Sequence, residues 1–519
     1  MNPTDNDLPI ASPSAAASLH PGTELARGAL VNVISLVASN FRGIFTLLVA
    51  RLLGNATLGT FALAWSTTDL LSKLGTFGMD TSATALVAAR EAAGDRRGSY
   101  LVFRRALLWG LLFSVTAALL GIVWFQIIGV RIGQPPELVR AVSFMLLALP
   151  AIGLYRISNA VSRGKKVMRH DIYSKGITET LSTIAVFLVA ISFGLRNSAP
   201  VVAALLGTAS GGIVAFFLAR SLFGKLSPDV GEPAPVSLLR FSAPIAIYGF
   251  INMLIMRMDV MLLGLVGPSL GIGIETVGIF WAAVEVSGGM RKVRQAFDPM
   301  FTPIVAGHSA IRDHRAMEET FAQVSRWILA VLLPVVGAFC LAGGLLLDIF
   351  GPGFDRGALW VGLLAVAHAT NSFVGLAETV IMVERPKLNL INSAVTLVLQ
   401  LAVTWFLMYQ LGATGAALGM VFAYGLQGLL RYCQMKLLFR WHLPWRTLAR
   451  PAAAFAIALA VALPFRFLLE GWLAETVSGL VLLLAYAGAW KLIGLEQSDA
   501  TVLRQLWRGR GRRVYDPDE

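Results

Sequence analysis

The sequence predicts an all-α polytopic membrane protein made of two pseudo-symmetric six-helix bundles and a C-terminal helix pair, about 14 transmembrane helices in all. Three observations carry that prediction. Of 519 residues, 56% are hydrophobic and only 14% charged, against roughly 25% charged in an average soluble domain. Nearly uncharged stretches of about 20 residues, the length that crosses a bilayer core of about 30 Å, recur along almost the whole chain. Short motifs also recur at long range: RLLG at Arg51 to Gly54 is echoed by MLLG at Met261 to Gly264, a sign of internal duplication.

Taken in order, spans are expected at 28–50, 58–80, 106–128, 141–162, 176–195, 199–219, 241–266, 276–297, 327–348, 358–382, 389–410, 413–432, 450–469 and 474–493. RLLG closes the first and Phe77-Gly78 ends the second. The third follows Arg96, Arg97, Arg104 and Arg105, and the fifth follows Arg163, Lys165, Lys166 and Arg169. Later basic connections hold Arg220, Lys225 and Arg240, then Arg291, Lys292, Arg294, Arg312 and Arg315, then Arg385 and Lys387, then Lys436, Arg440 and Arg446. The alternate connections hold only Arg51, Arg131, Arg140, Arg196, Arg356 and Arg466. By the positive-inside rule the basic set is cytoplasmic, and an even number of spans puts both termini there too, in a multi-pass protein of the bacterial inner (plasma) membrane. The net charge of +13, from 43 basic and 30 acidic residues, is therefore mainly an orientation signal and not a nucleic-acid footprint.

The repeat extends beyond RLLG. Gly59, Phe61 and Ala64 match Gly278, Phe280 and Ala283, and that register sets Lys73 opposite Lys292. Leu206, Gly207 and Arg220 match Leu418, Gly419 and Arg431. The expected organisation is a disordered cytoplasmic tail at 1–23, an N-lobe at 24–222, a linker at 223–237 with Pro228, Pro233 and Pro235, a C-lobe at 238–440, a helix pair at 441–495 and a basic cytoplasmic tail at 496–519. Two halves that start on the same side are related by an axis along the membrane normal, an arrangement that places substrate between the lobes.

Several chemistries are missing. Cys340 and Cys433 both lie in or beside apolar stretches and offer neither a disulfide framework nor a cysteine metal site. The Gly-Lys pairs at Gly164 and Gly224 have Asn159 and Ala219 where a Walker A sequence needs its earlier glycine. His308 and His314 belong to a connection, there is no HExxH, and the D-x-D patterns Asp5 to Asp7 and Asp516 to Asp518 sit in the tails. No catalytic residue, metal ligand or cofactor is expected, and a transporter driven by membrane potential or by a proton or sodium gradient is favoured over an enzyme.

Ionisable groups inside the membrane are the functional candidates. Arg42 lies nine residues, about 13 Å, before Arg51, and Arg257 sits at similar depth in the seventh span. Neither has an acid three or four residues away, so each either binds an anion in an interlobe cavity or pairs with an acid on another helix, such as Asp259, Glu285 or Glu378. Lys73 has Asp69 four residues earlier and Glu179 has Lys175, so both pairs can neutralise themselves. Arg156 is close enough to the cytoplasmic end to snorkel. Glu285 and Glu378 lack a cation three or four residues away and are either proton or sodium sites or partners of Arg257. The substrate-binding candidates are thus Arg42, Arg257, Lys73 and Lys292, and the ion-coupling candidates Glu285, Glu378, Asp69 and Asp259. Pro150, Pro244 and Pro334 are expected to kink their helices.

RLLG with Leu58, Gly59 and Phe61, then Phe77-Gly78, then Arg257 and Asp259 leading into MLLG, and finally LGATGAA at Leu411 to Ala417 resemble the polysaccharide biosynthesis and export flippases. Their superfamily also holds the murein lipid flippases and the multidrug and toxin extruders. The resemblance runs over about residues 25 to 440. It implies a V-shaped pair of bundles around a cationic cavity that moves undecaprenyl-pyrophosphate-linked oligosaccharide to the outer leaflet for O-antigen, capsule or exopolysaccharide. Membrane lipids, a polysaccharide polymerase and a chain-length regulator are the partners it admits. Fourteen spans are similar to the murein flippases, whose last two helices help form a lipid-tail groove. The alternative within the same superfamily is a multidrug or organic-cation antiporter, which would use Glu285, Glu378 and Asp69 to hold its substrate.

Overall fold

The computed structural model describes residues 42–224, 238–441 and 445–493. The two expected tails, most of the interlobe linker and the opening of the first span lie outside these residues. Within the described residues the chain is helical throughout its spans, as a bilayer demands. With no water to satisfy backbone groups, only intrahelical hydrogen bonds do so.

Helix α1 (Arg42–Thr76) is two expected spans in one. Gly54 interrupts it at φ 83° and ψ −179°, backbone angles that are essentially reserved for glycine. The rings of Phe45 and Phe61 lie 5.5 Å apart, whereas sixteen residues of straight helix would hold them about 24 Å apart. The chain therefore folds sharply back at Gly54. After α2 (Met79–Ala92), helix α3 (Arg96–Trp124) is capped by Asp95, which accepts from the Gly98 amide at 2.7 Å and from Arg90 at 2.8 Å. Helices α4 (Pro136–Leu146) and α5 (Leu149–Gly164) make up the fourth span. Pro150 does not kink a continuous helix here but sits at the restart, in the first turn of α5, where its missing amide costs nothing. A π-helical stretch (Ile172–Glu179) leads into α6 (Thr180–Ser192), and α7 (Ala199–Ser221) completes the first bundle.

The second bundle comprises α8 (Leu238–Val266), α9 (Ile274–Ser287), α10 (Gly289–Ala310), α11 (His314–Leu341), a short α12 (Gly343–Asp348), α13 (Ala358–Glu384), α14 (Pro386–Leu411) and α15 (Ala413–Phe439). Pro244 and Pro334 lie inside α8 and α11. Twelve helices among the described residues are long and apolar enough to cross a membrane. That number holds α1 once and leaves out the expected eighth span, which is broken at Gly288 between α9 and the more polar α10. The folded-back α1 and the α9–α10 pair account for the difference from 14. Helices α16 (Trp445–Leu468) and α17 (Gly471–Ile493) pack on each other and on α11. Glu475 fixes this pair by accepting the Leu345 amide at 2.6 Å.

The bundles meet where α1 crosses α9. Gly59 and Gly278, the two repeat-equivalent glycines, face each other. A Cβ on Gly59 would strike the carbonyl of Ile274 and lie 3.0 Å from the Gly278 nitrogen, and a Cβ on Gly278 would strike the carbonyl of Asn55 and lie 3.0 Å from the Gly59 nitrogen. Such reciprocal contact is what a twofold axis through the crossing requires. At the same end Arg51 donates to the carbonyls of Ile349 and Asp348, at 2.7 and 3.2 Å, at the C-terminal end of α12, where a cation is favoured. At the basic end Ser242 of α8 donates to Ser82 of α2 at 2.7 Å. Because backbone blocks both glycine positions, Gly278→Val is expected to cost about 1–3 kcal/mol. Thermal unfolding of purified protein checks this, and an unchanged midpoint would contradict the crossing.

Candidate functional site

Charged side chains from both bundles converge beside this crossing. Asp69 is buried on the returning leg of α1 and accepts from two arginines, Arg156 of α5 and Arg257 of α8, each at 2.9 Å. Arg257 also lies over the Trp281 ring of α9, 5.2 Å from its centroid, a cation–π contact in a desolvated place. One carboxylate is thus shared by a guanidinium of its own bundle and one of the other. The group keeps a net positive charge.

Several expectations change. Arg257 is not an unpaired cation, and its partner is none of Asp259, Glu285 or Glu378 but Asp69 of the other bundle. Lys73 does not neutralise Asp69. It pairs instead with Asp80 of α2, at 3.4 Å, because Asp69 turns inward to the arginines. Arg156 does not snorkel. Arg42 opens α1, but its side chain lies outside the described ones. Lys175 sits over the Tyr155 ring at 5.8 Å, while Glu179 is buried against Gly207 and Gly211 of α7. Lys292 is half-buried on α10, within electrostatic reach of Glu285, Arg291 and, from the first bundle, Lys175. The two halves therefore bring Arg156, Lys175, Arg257, Arg291 and Lys292 toward one cleft, against Asp69 and Glu285.

Glu378 belongs to a separate network inside the second bundle. It accepts from Tyr248 of α8 at 2.6 Å and Arg294 of α10 at 3.4 Å, and forms an ion pair with the fully buried Arg431 of α15 at 3.2 Å. Arg294 also bridges Asp298 at 3.1 Å. Asp259, two residues from Arg257, points to the opposite side of α8 as helix geometry requires, and it is buried within electrostatic reach of Tyr424. Its Oδ1 accepts the Val260 amide at 2.8 Å, and its Oδ2 has no partner among the described residues.

Arg156, Tyr248 and Arg431 escape a reading by helical neighbours because their partners lie 87, 130 and 53 positions away. A usable signal was that Asp69 and Glu378 are acids in apolar helices and so require cations from other helices.

With this geometry in place, comparison with known proteins gives three results. Residues 31–178 match the family model described as MatE. A search of curated proteins gave no match. Solved structures match over most of the chain. An inward-facing multidrug resistance MATE family transporter of the MOP superfamily has a TM-score of 0.66 at 15% identity, covering 82% of this chain and 98% of that one. An outward-facing structure of the same description has a TM-score of 0.61 at 15% identity, covering 83% and 96%. A variant of the Vibrio cholerae MATE transporter VcmN has a TM-score of 0.58 at 15% identity, covering 82% and 99%. The chain has the MATE transporter fold.

The shared carboxylate makes a prediction about stability. Asp69→Asn leaves two buried guanidinium groups facing each other and is expected to cost about 3–5 kcal/mol. Arg257→Gln leaves Asp69 with Arg156 and should cost less. The Asp69→Asn/Arg257→Gln double variant should recover part of the loss, and thermal unfolding of all three in detergent measures the coupling. Strict additivity would contradict it.

Proposed function

We propose that this chain is a secondary transporter that exports an amphiphilic substrate by alternating access, its two bundles rocking about the Gly59–Gly278 crossing. The Asp69–Arg257 pair carries this reading. It is a buried ionic contact between bundles, and separating the bundles there leaves Arg257 free for a substrate. Direct contacts join the bundles at both ends, Arg51 and the glycine crossing at one and Ser242 with Ser82 at the basic one, so rocking must break one set while keeping the other. The basic loops favour the plasma membrane of a bacterium with both termini in the cytoplasm.

For the substrate, fold likeness favours the drug and organic-cation reading, since the similar structures are described as multidrug resistance transporters. Glu285 is the cleft acid best placed to hold such a cation. The charge of the cleft favours a second reading. Asp69 is already engaged by two arginines and Asp80 by Lys73, while Lys175, Arg291 and Lys292 add positive charge around Glu285. A cleft of that sign suits a pyrophosphate head group, as on undecaprenyl-pyrophosphate-linked oligosaccharide. In that case two negative charges moving outward across 100 mV would gain roughly 4–5 kcal/mol from an inside-negative potential.

A deletion strain separates the two. Hypersensitivity to cationic dyes with normal lipid-linked sugar supports extrusion. Lipid-linked sugar trapped where an added glycosidase cannot reach it, with unchanged dye resistance, supports flipping. Arg257→Ala is expected to abolish export of whichever substrate is found while the protein still folds, since Arg156 continues to neutralise Asp69. Full export by that variant would refute the role given to the pair. In vesicles, anionic substrate flipping should fall when the potential is collapsed with the pH gradient kept, and undiminished flipping would sink the voltage argument.

A further inference from the structure

The two bundles treat one helix differently. Helices α3 and α11 start alike: Asp95 holds φ −86° and ψ 77°, Asp313 holds φ −85° and ψ 76°, and each caps its helix, Asp313 by accepting the Ala316 amide at 3.0 Å. Setting Asp95 on Asp313 places Phe103 on Phe321, and Leu112, Leu119 and Val123 on Ala330, Gly337 and Leu341. On α11 those three positions are covered by α16 and α17. Tyr486 donates to the Ala330 carbonyl at 2.9 Å, a Cβ on Gly337 would lie 2.7 Å from the Phe455 ring and 3.0 Å from Leu482, and Leu341 is buried among Ala454, Ala458 and Leu482. On α3 the matching residues are bare: Leu112, Leu119 and Val123 are 51, 59 and 53% exposed.

Residue size and charge say what covers the bare face. Helices approach closely where side chains are small, as Ala330 and Gly337 are. Leu112 and Leu119 at the matching places hold a second helix off and offer branched apolar surface to acyl chains instead. The exposed apolar residues run from Leu108 through Leu112, Val115, Leu119 and Val123 to Val130, about 33 Å of helix, the depth of a hydrocarbon core. Arg131 bounds the face at one side, and at the basic side Arg104 and Arg105 stand one turn before Leu108, all three exposed. Neither Arg104 nor Arg105 makes a hydrogen bond or ion pair among the described residues, whereas Arg90, Lys165 and Arg163 at the same end are held by Asp95, Glu91 and Asp171. Consecutive residues project about 100° apart around a helix, so the two guanidinium groups flank one point at one depth.

We propose that this face of α3 binds an anionic phospholipid in the place that α16 and α17 take on the second bundle. Its phosphate lies between Arg104 and Arg105, and its acyl chains run along Leu108, Leu112 and Leu119. Guanidinium groups match phosphate oxygens with two-point hydrogen bonds, and at the edge of the hydrocarbon core water screens the pairing little. A zwitterionic lipid also brings a phosphate but carries its own cation beside it, so two arginines select a head group of net negative charge. Helix α3 turns its other face to α1, α2 and α5. The lipid therefore sits outside the first bundle, and the inference does not depend on what the protein exports.

Native mass spectrometry of the purified full chain tests selectivity, with dioleoyl phosphatidylglycerol and dioleoyl phosphatidylcholine added in equal amounts. The unaltered protein is expected to retain phosphatidylglycerol about tenfold over phosphatidylcholine, and Arg104→Gln/Arg105→Gln to lose that preference. Lys436→Gln/Arg440→Gln, which removes an exposed basic pair at the end of α15, should keep it. Should the double arginine variant not fold, each single variant is expected to lose part of the preference. Equal retention of the two lipids, or the same loss in the α15 variant, would overturn the proposal. The place is read with a phosphatidylglycerol that carries a diazirine on one acyl chain. It should label α3 between Leu108 and Val123, about tenfold less in Arg104→Gln/Arg105→Gln, and labelling confined to other helices would refute the placement. A second copy of the chain is the competing occupant. In a Cys340→Ala/Cys433→Ala background, Leu112→Cys and Leu119→Cys are expected to stay monomeric on oxidation in bilayers, and disulfide-linked dimers would assign the face to that copy and overturn the lipid.

Discussion

Charge cannot be left in hydrocarbon, and this constraint arranges the interior of both bundles. In water, a lysine four residues from an aspartate is a natural pair. In this protein Asp69 ignores Lys73, because an i to i+4 pair on a helix surface would leave both charges facing apolar surroundings. Turning inward gives the carboxylate two guanidinium donors and closes the space between helices. The same constraint collects Arg294, Arg431 and Tyr248 around Glu378. Ionic contacts thus run across helices and bind α1 to α5 and α8, and α13 to α8, α10 and α15.

The inter-bundle pair differs in kind from the intra-bundle one. Glu378 and its partners can move as a unit, since all belong to one bundle. Asp69 and Arg257 cannot, and Arg156 decides which charge is left bare when they part. It is held to Asp69 within the same bundle, so in the proposed separation the carboxylate keeps a partner and the bare charge is a cation.

Much of the fold was legible in the sequence. The repeat match of Gly59 with Gly278 not only paired two segments but picked the residues that touch at the pseudo-axis, because close approach of two backbones leaves no room for a side chain. Gly207 and Gly419 behave likewise, each packing on a threonine of the preceding helix, Thr183 and Thr404. The break at Gly288 and the long helix ends around His308 and His314 were not legible, since apolar runs mark membrane depth and say little about where a helix continues beyond it. At the site, sequence singled out Asp69, Arg257, Asp259 and Glu378 as buried ionisable groups but paired Lys73 with Asp69 and gave Arg156 no partner, because neighbours along a helix are visible in a sequence and neighbours across helices are not. The buried polar face of α14, with Asn389, Asn392, Thr396, Gln400 and Thr404, was present as a pattern of Asn, Thr and Gln at helical spacing. It carries no charge, and a search for charges passes over it.

The last repeat match shows where symmetry ends. Arg220 and Arg431 occupy equivalent places in α7 and α15. Arg220 reaches the surface, donating to the Gly224 carbonyl at 2.9 Å and lying over the Tyr100 ring, whereas Arg431 is 1% exposed and bound to Glu378. A duplicated scaffold would bury both or neither if burial served packing alone. Burying one guanidinium is costly unless its surroundings are ionic and wet, and only the second bundle supplies Glu378, Asp298 and the polar face of α14. The two bundles are alike in backbone and unlike in what they hold, so the asymmetry belongs to the ionic interior of the second bundle and to Asp69 in the first, while the symmetric glycines serve the close approach of the two.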